Sequence, residues 1–163
     1  MWRWRSIDIS GNGLLAVGYY LLPNVYLYDV SGPEKTFVRE LKLSSPNYRT
    51  INRELPAEVP REEWEKVALN MSATTSPWLL NDSLVVLSFR NKKAGYYDEN
   101  EGAEAYTKNY AIVASTTGEQ YGELELPGTV LGSDSRGRLY IQLSDVPDER
   151  KIGVYEIRLG KKS

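Results

Sequence analysis

The chain has 163 residues, 41% hydrophobic and 26% charged, with 20 basic and 22 acidic side chains and a formal charge of −2. That length suits one domain, the apolar share is too high for a disordered chain, and the near-balance of charge offers no general attraction to nucleic acid or an anionic membrane. There is no cysteine and no histidine, which excludes disulfides, thiolate and imidazole metal sites, Cys nucleophiles and Ser-His-Asp triads.

In chain order, Met1–Arg5 alternates Trp2 and Trp4 with Arg3 and Arg5, the aromatic and charged faces expected of an outermost strand. It lacks the apolar core and cleavage site of a signal peptide, and no stretch reaches the roughly 20 apolar residues of a membrane helix. No compartment follows from the sequence.

Residues 6–43 read as four strands. Ile7 and Ile9 share a face at period two, Ser10-Gly11-Asn12-Gly13 is a tight turn, and Leu14–Tyr20 follows. Val25–Val30, the turn Ser31-Gly32-Pro33-Glu34 and the alternating Thr36–Leu43 complete the set. Residues 44–75 form an insertion with one helix. Pro60 suits its first position, Glu62, Glu63 and Glu65 lie near its positive end, and Trp64, Val67, Ala68 and Met71 recur at helical spacing. It reads as a cap laid over one end of the fold, with Trp64 in the packing seam. Ahead of it, Tyr48, Arg49 and Arg53 combine an Arg pair with an aromatic, which suits a carboxylate or phosphate as well as ordinary surface contacts.

Residues 76–126 repeat the pattern: Trp78–Leu80, the turn Asn81-Asp82-Ser83, Leu84–Phe89, Tyr110–Ser115, the turn Thr116–Glu119 and Gln120–Leu126. Their long loop holds Tyr96, Tyr97, an acidic run through Glu104, and Tyr106. These tyrosines suit stacking on a sugar or packing on the neighbouring insertion. The acidic run lacks the alternate-ligand spacing and sixth-position glycine of a calcium loop, so no metal or cofactor is assigned. The sequons at Asn70 and Asn81 are short enough to arise by chance.

Residues 127–160 hold only three strands, Thr129–Gly132, Arg138–Leu143 and Ile152–Leu159, with the turn Ser133–Gly137. The segments Ser10–Val17, Asn81–Leu87 and Asp134–Ile141 overlay as one element. Four antiparallel strands per unit, repeated around such turns, is the pattern of a β-propeller blade. The expected fold is therefore all-β, about three blades in a single half-propeller unit: 1–5 an exchanged outer strand, 6–43 blade one, 44–75 the helical insertion, 76–126 blade two and 127–160 blade three. The short turns share one end of the unit and the long loops the other, which makes the long-loop end the expected binding face.

The stretches Leu131–Ile141 and Gly153–Leu159 resemble six-bladed β-propellers of the NHL and TolB-type groups, common as uncharacterised bacterial proteins. The resemblance covers most of the chain. It implies a unit that binds a small molecule, a sugar or a protein, and some members are lactonases or other metal-dependent enzymes. Half a ring exposes apolar sheet at both ends, so the expected partner is a second copy: Trp2 and Trp4 of one chain completing the sheet of Val154 and Ile157 in the other, giving a homodimeric six-bladed ring. With histidine absent, the expected function is a non-catalytic scaffold or binding unit. A carboxylate- or metal-dependent hydrolase is the alternative, and an excised or engineered half-propeller with no independent function is a third reading.

Overall fold

The computed structural model describes residues 5–50, 60–97, 105–144 and 150–159. Eleven strands and one helix occupy them, in three antiparallel sheets. The first sheet runs β1 (Arg5–Ile9), β2 (Leu14–Tyr19), β3 (Leu22–Asp29), β4 (Thr36–Lys42), each strand paired to the next. After helix α1 (Arg61–Leu69) the second repeats the order with β5 (Ser72–Leu80), β6 (Leu84–Lys92), β7 (Thr107–Ser115) and β8 (Gln120–Leu126). The third has β9 (Thr129–Ser133), β10 (Arg138–Ser144) and β11 (Lys151–Glu156). The strand counts of four, four and three are those read from the sequence. Met1–Trp4, the leader with Trp2 and Trp4, lies outside the described residues, and Arg5 belongs to β1, opposite Tyr19.

The second sheet lies between the other two, and its sequence shows why. Leu84–Phe89 and Tyr110–Ala114 are nearly unbroken apolar runs, the composition of strands covered on both faces. Side chains alternate along a strand, so neighbouring residues serve different interfaces. Val85, Leu87, Phe89, Tyr110, Ile112 and Ala114 pack with Ala16, Val25, Leu27 and Leu41 of the first sheet. Val86, Ala111 and Val113 pack with Val130, Leu139 and Ile141 of the third. The β5–β6 turn places Asn81 and Asp82 at φ 52° and 55°, the left-handed pair that a two-residue hairpin requires and that Asn and Asp tolerate.

The first strands of the three sheets, β1, β5 and β9, lie together. One carboxylate joins them. Asp8 on β1 accepts the Leu79 amide of β5 at 2.7 Å and the Ser133 hydroxyl of β9 at 3.3 Å through Oδ2, while Oδ1 takes the Ile9 amide at 3.0 Å. The Leu79 amide points away from β6 and would otherwise go without an acceptor. Asp8→Ala should therefore cost about 1–2 kcal/mol, read as a shift in urea midpoint. Asp8→Asn, which keeps one acceptor oxygen, should lose less.

A second carboxylate organises the β9–β10 turn. Asp134 accepts the Arg136 and Arg138 amides through Oδ1, and through Oδ2 it takes both Arg138 Nε at 2.9 Å and Nη2 at 2.6 Å and the Tyr140 hydroxyl at 2.9 Å. The Arg138 side chain, first, and these further donors hold its carboxyl well below the usual carboxylate range. A depressed folded-state value means that the unfolded chain binds the proton more readily. The contribution is thus present above the unfolded value near about 4 and fades as pH falls below it. Asp134→Asn should lower the midpoint at pH 7, and the gap to wild type should narrow through the acid limb of a pH–stability curve.

Candidate functional site

The turns at 10–13, 81–83, 116–119 and 133–137 collect at one end of the sheets, and α1 lies at the other. At that second end a cavity of about 510 Å³ opens beside the starts of β1 and β5, next to α1. Its lining comes from the start of β1 (Arg5, Ser6), the end of the β2 hairpin (Tyr20), α1 (Trp64), the start of β5 (Thr74, Thr75) and β6 (Arg90).

Local structure sets each of these groups. The Thr74 amide donates to the Tyr20 carbonyl at 2.8 Å, and its hydroxyl donates to the Leu22 carbonyl at 3.1 Å, stitching β5 to the first sheet. The β5–β6 register slips between Thr74 and Ser76. Thr75 is the extra residue, and such a bulge lets successive side chains face the same space. The Thr75 hydroxyl is fixed by Ser88, 2.7 Å from its Oγ, and Ser88 in turn accepts the Trp78 indole at 3.0 Å. Val67 and Ala68 bury one side of α1, leaving Trp64, one turn earlier, 37% exposed over the cavity.

The electrostatics are one-sided. Among the described residues two arginines and no acidic residue line the cavity, but the Arg5 side chain lies on the exposed outer face of β1 with Ile7 and Ile9. Arg5 is steadied by the Tyr19 ring, 5.7 Å from its centroid. Arg90 follows the buried run Val85–Phe89, and its Nε is buried with no hydrogen-bond partner among the described residues. That unmet donor, sealed from solvent, costs about 1–3 kcal/mol. What the cavity offers a ligand is the exposed Trp64 indole, which can stack on a flat body, beside hydroxyls already engaged within the sheets.

No family model, curated protein or solved structure matches this chain.

Of the side chains singled out in the sequence, Trp64 lines the cavity. Tyr48 stands behind it: its hydroxyl meets Thr74 Oγ1 at 3.1 Å, its ring packs edge-on to Phe89 at 5.0 Å, and burial pushes its phenol up to about 12. Arg49 fastens the helix, donating to the Leu69 carbonyl at 3.0 Å and the Lys92 carbonyl at 3.4 Å. Arg53 lies outside the described residues. Tyr96 and Tyr97 pack edge-to-face at 5.0 Å, with Lys92 Nζ 4.3 and 4.7 Å from their ring centroids and donating to the Tyr97 hydroxyl at 2.7 Å. Tyr106 packs on Gly95, which takes a positive φ of 90°, and its carbonyl accepts the Lys93 amide. These three tyrosines form a second cluster on the long-loop side. Val154 is 53% exposed on β11, whereas Ile157 packs against the core shared by the second and third sheets.

Arg5, Ser6, Tyr20, Thr74, Thr75 and Arg90 were not legible as a site. They come from three strands and a turn, and only the fold assembles them. The one sequence signal was Arg90 itself, a charge set directly against a buried run.

Proposed function

We propose that this chain is half of a six-bladed, propeller-type ring, a non-catalytic binding scaffold closed by a second copy. The observation that carries the reading is the outer face of the first sheet. Across it run Ile7, Val17 and Tyr26 in one row and Ile9, Leu15, Tyr28 and Phe37 in the next. Ile7 is 65% exposed, Ile9 59% and Phe37 54%. That is a contiguous apolar surface of the kind a soluble protein reserves for a partner. The opposite faces of all three sheets are already used in the two internal interfaces, so another sheet is the natural cover.

The far end of the stack supports the same reading. The third sheet has one strand fewer, and its last strand β11 presents Ile152 and Val154 to solvent. A two-fold axis would set the first sheet of each copy against the third sheet of the other, giving two equal contacts and a closed assembly. Exchange of the leader strand falls on Met1–Trp4 and is not needed for this packing. The meeting of β1, β5 and β9 at Asp8 agrees with first strands lying innermost. Asp8 has both oxygens engaged by Leu79, Ser133 and Ile9, which favours a structural role for it over the hydrolase reading. Binding is assigned to the long-loop end, where the cavity lies. Light scattering at several concentrations tests closure: a particle of twice the 18.5 kDa chain mass supports it, and a monomer throughout overturns it.

A further inference from the structure

We infer that the free edge of β11 is a self-recognition site, where the same strand of a second copy adds antiparallel about a two-fold axis. The contact goes beyond ring closure, which uses sheet faces, and does not rest on it. On the side away from β1, β5 and β9, the three sheets end in β4, β8 and β11. The first two of these edges are guarded. β4 carries Arg39, Glu40 and Lys42, β8 carries Glu123 and Glu125, and a shift of register interrupts each ladder, between Leu27 and Tyr28 and between Val113 and Ala114. Charges and bulges of this kind keep an edge from pairing with another chain. The centre of β11, Ile152-Gly153-Val154-Tyr155, carries no charge. Its ladder to β10 runs without a break from Ile152 to Glu156, and Ile152, Val154 and Tyr155 are all exposed.

Charge selects the occupant and its register. A two-fold axis normal to the sheet leaves every side chain on its own face, so opposite residues share a face and the axis passes through a residue. With the axis at Val154, Arg150 would meet Arg158 of the other copy, and Ile152 would meet Glu156. With the axis at Gly153, Arg150 lies opposite Glu156 at both ends, and Ile152 lies opposite Val154 at both positions between them. Lys151 then faces the Tyr155 ring on the other side of the sheet. Opposite charges and apolar pairs directly across strands stabilise a sheet, and like charges destabilise it. Among axes through the described residues of β11, only the one at Gly153 sets opposite charges against each other. Arg158 already holds one oxygen of Glu156, Oε2 at 2.9 Å, and the incoming Arg150 takes the other.

A pair of short strands alone is marginal in water, so this contact is weaker than ring closure, with a dissociation constant on the order of 1 mM. Sedimentation equilibrium of Ile7→Glu, a variant expected not to close the ring, should show a reversible dimer near that concentration at low salt. Arg150→Glu or Glu156→Arg in the same background sets like charges opposite each other at both ends, and each should weaken the dimer by about tenfold. Mixed in equal amounts, the two variants should recover the original strength, because every contact between them again opposes arginine and glutamate. The chain has no cysteine, so a second readout is free of background. Chains bearing Ile152→Cys and Val154→Cys, mixed and oxidised, should form the mixed disulfide in excess over either homodimer, since opposite Cβ atoms lie about 5 Å apart and diagonal ones about 7–8 Å. That pattern reads the edge equally well with the outer face of the first sheet unaltered, so it stands or falls separately from the ring. The inference is overturned if Ile7→Glu stays monomeric at that concentration, if the charge variants associate alike alone and mixed, or if the mixed disulfide is not favoured. It is also overturned if deleting residues 1–4 abolishes the association, which would assign the edge to that segment of another copy.

Discussion

Phe89→Ala is expected to destabilise the protein by about 3–5 kcal/mol, a large share of the 5–15 kcal/mol typical of a folded domain. Phe89 is 1% exposed and stands where three features meet. Its ring stacks on Tyr110 at 5.2 Å and takes the edge of Tyr48 at 5.0 Å, and it belongs to the core between the first and second sheets. Truncation removes the ring's burial and leaves a void walled by two aromatics whose own positions are fixed. Tyr48 is held by Thr74, and Tyr110 sits within the β6–β7 ladder opposite Phe89. Neither can collapse inward without breaking those pairings, which places the loss toward the upper end of the range. Phe37→Ala serves as the comparison, since Phe37 is 54% exposed in a single chain. Urea unfolding of both substitutions in the Ile7→Glu background, where the chains are expected to be monomers so that association does not enter, should separate them by about 2 kcal/mol or more, on the order of a core against a surface truncation. Equal midpoints would mean that the packing between the first two sheets is not a dry core.

The contrast between these two phenylalanines marks how far the sequence could be read. Turn chemistry and period-two alternation were enough to place the hairpins, because a tight turn depends on residues at the turn itself, as Asn81 and Asp82 show with their positive φ values. The helix was legible for the same local reason: Pro60 at its start and an apolar stripe through Val67 and Ala68. The first half of β5 was not. Ser72, Thr74 and Ser76 look like loop, yet Ser72 and Thr74 are buried. Their polar groups are met at long range: Ser72 by Asn91 at 2.5 Å and by the Arg49 amide at 2.8 Å, and Thr74 by Leu22, Tyr20 and Tyr48. A buried polar strand is stable only once such partners are in place, and no local pattern announces partners 20 to 50 residues away.

The candidate site divides along the same line. Trp64 stood out because an aromatic on a short helix over a β scaffold is conspicuous by itself. Arg5 and Arg90 did not, since a lone arginine at a strand end usually faces solvent. Only the fold shows that both border one cavity and that the Arg90 Nε is sealed in without a partner among the described residues. Tyr48 and Arg49 looked like binding groups because both are capable of it. In the fold they are occupied: Tyr48 wedges against Phe89, and Arg49 ties the end of α1 to β6.

Ile7→Glu is expected to convert a dimer of half rings into monomers. Ile7 is 65% exposed in its own chain and its outer-face neighbours across the sheet are Val17 and Tyr26, so the substitution removes little packing within the chain. Far-ultraviolet circular dichroism should stay unchanged. In the proposed assembly the same residue lies under the third sheet of the partner. Two-fold symmetry places a glutamate in both contacts, so each dimer buries two unpaired carboxylates. Even at a modest 1.5 kcal/mol apiece, at the low end for an uncompensated polar group, the combined loss of about 3 kcal/mol raises the dissociation constant by roughly a hundredfold. Light scattering at a concentration where the wild type is fully paired should then return the 18.5 kDa chain mass. Leu124→Glu is the control. Leu124 is also an exposed apolar strand residue, at 43%, but it sits on β8 opposite Ala111, on the face turned toward the third sheet of its own chain. The mass of that variant should remain doubled. If both variants dissociate, the dimer is held by general surface hydrophobicity. If neither does, the outer face of the first sheet is not where the copies meet.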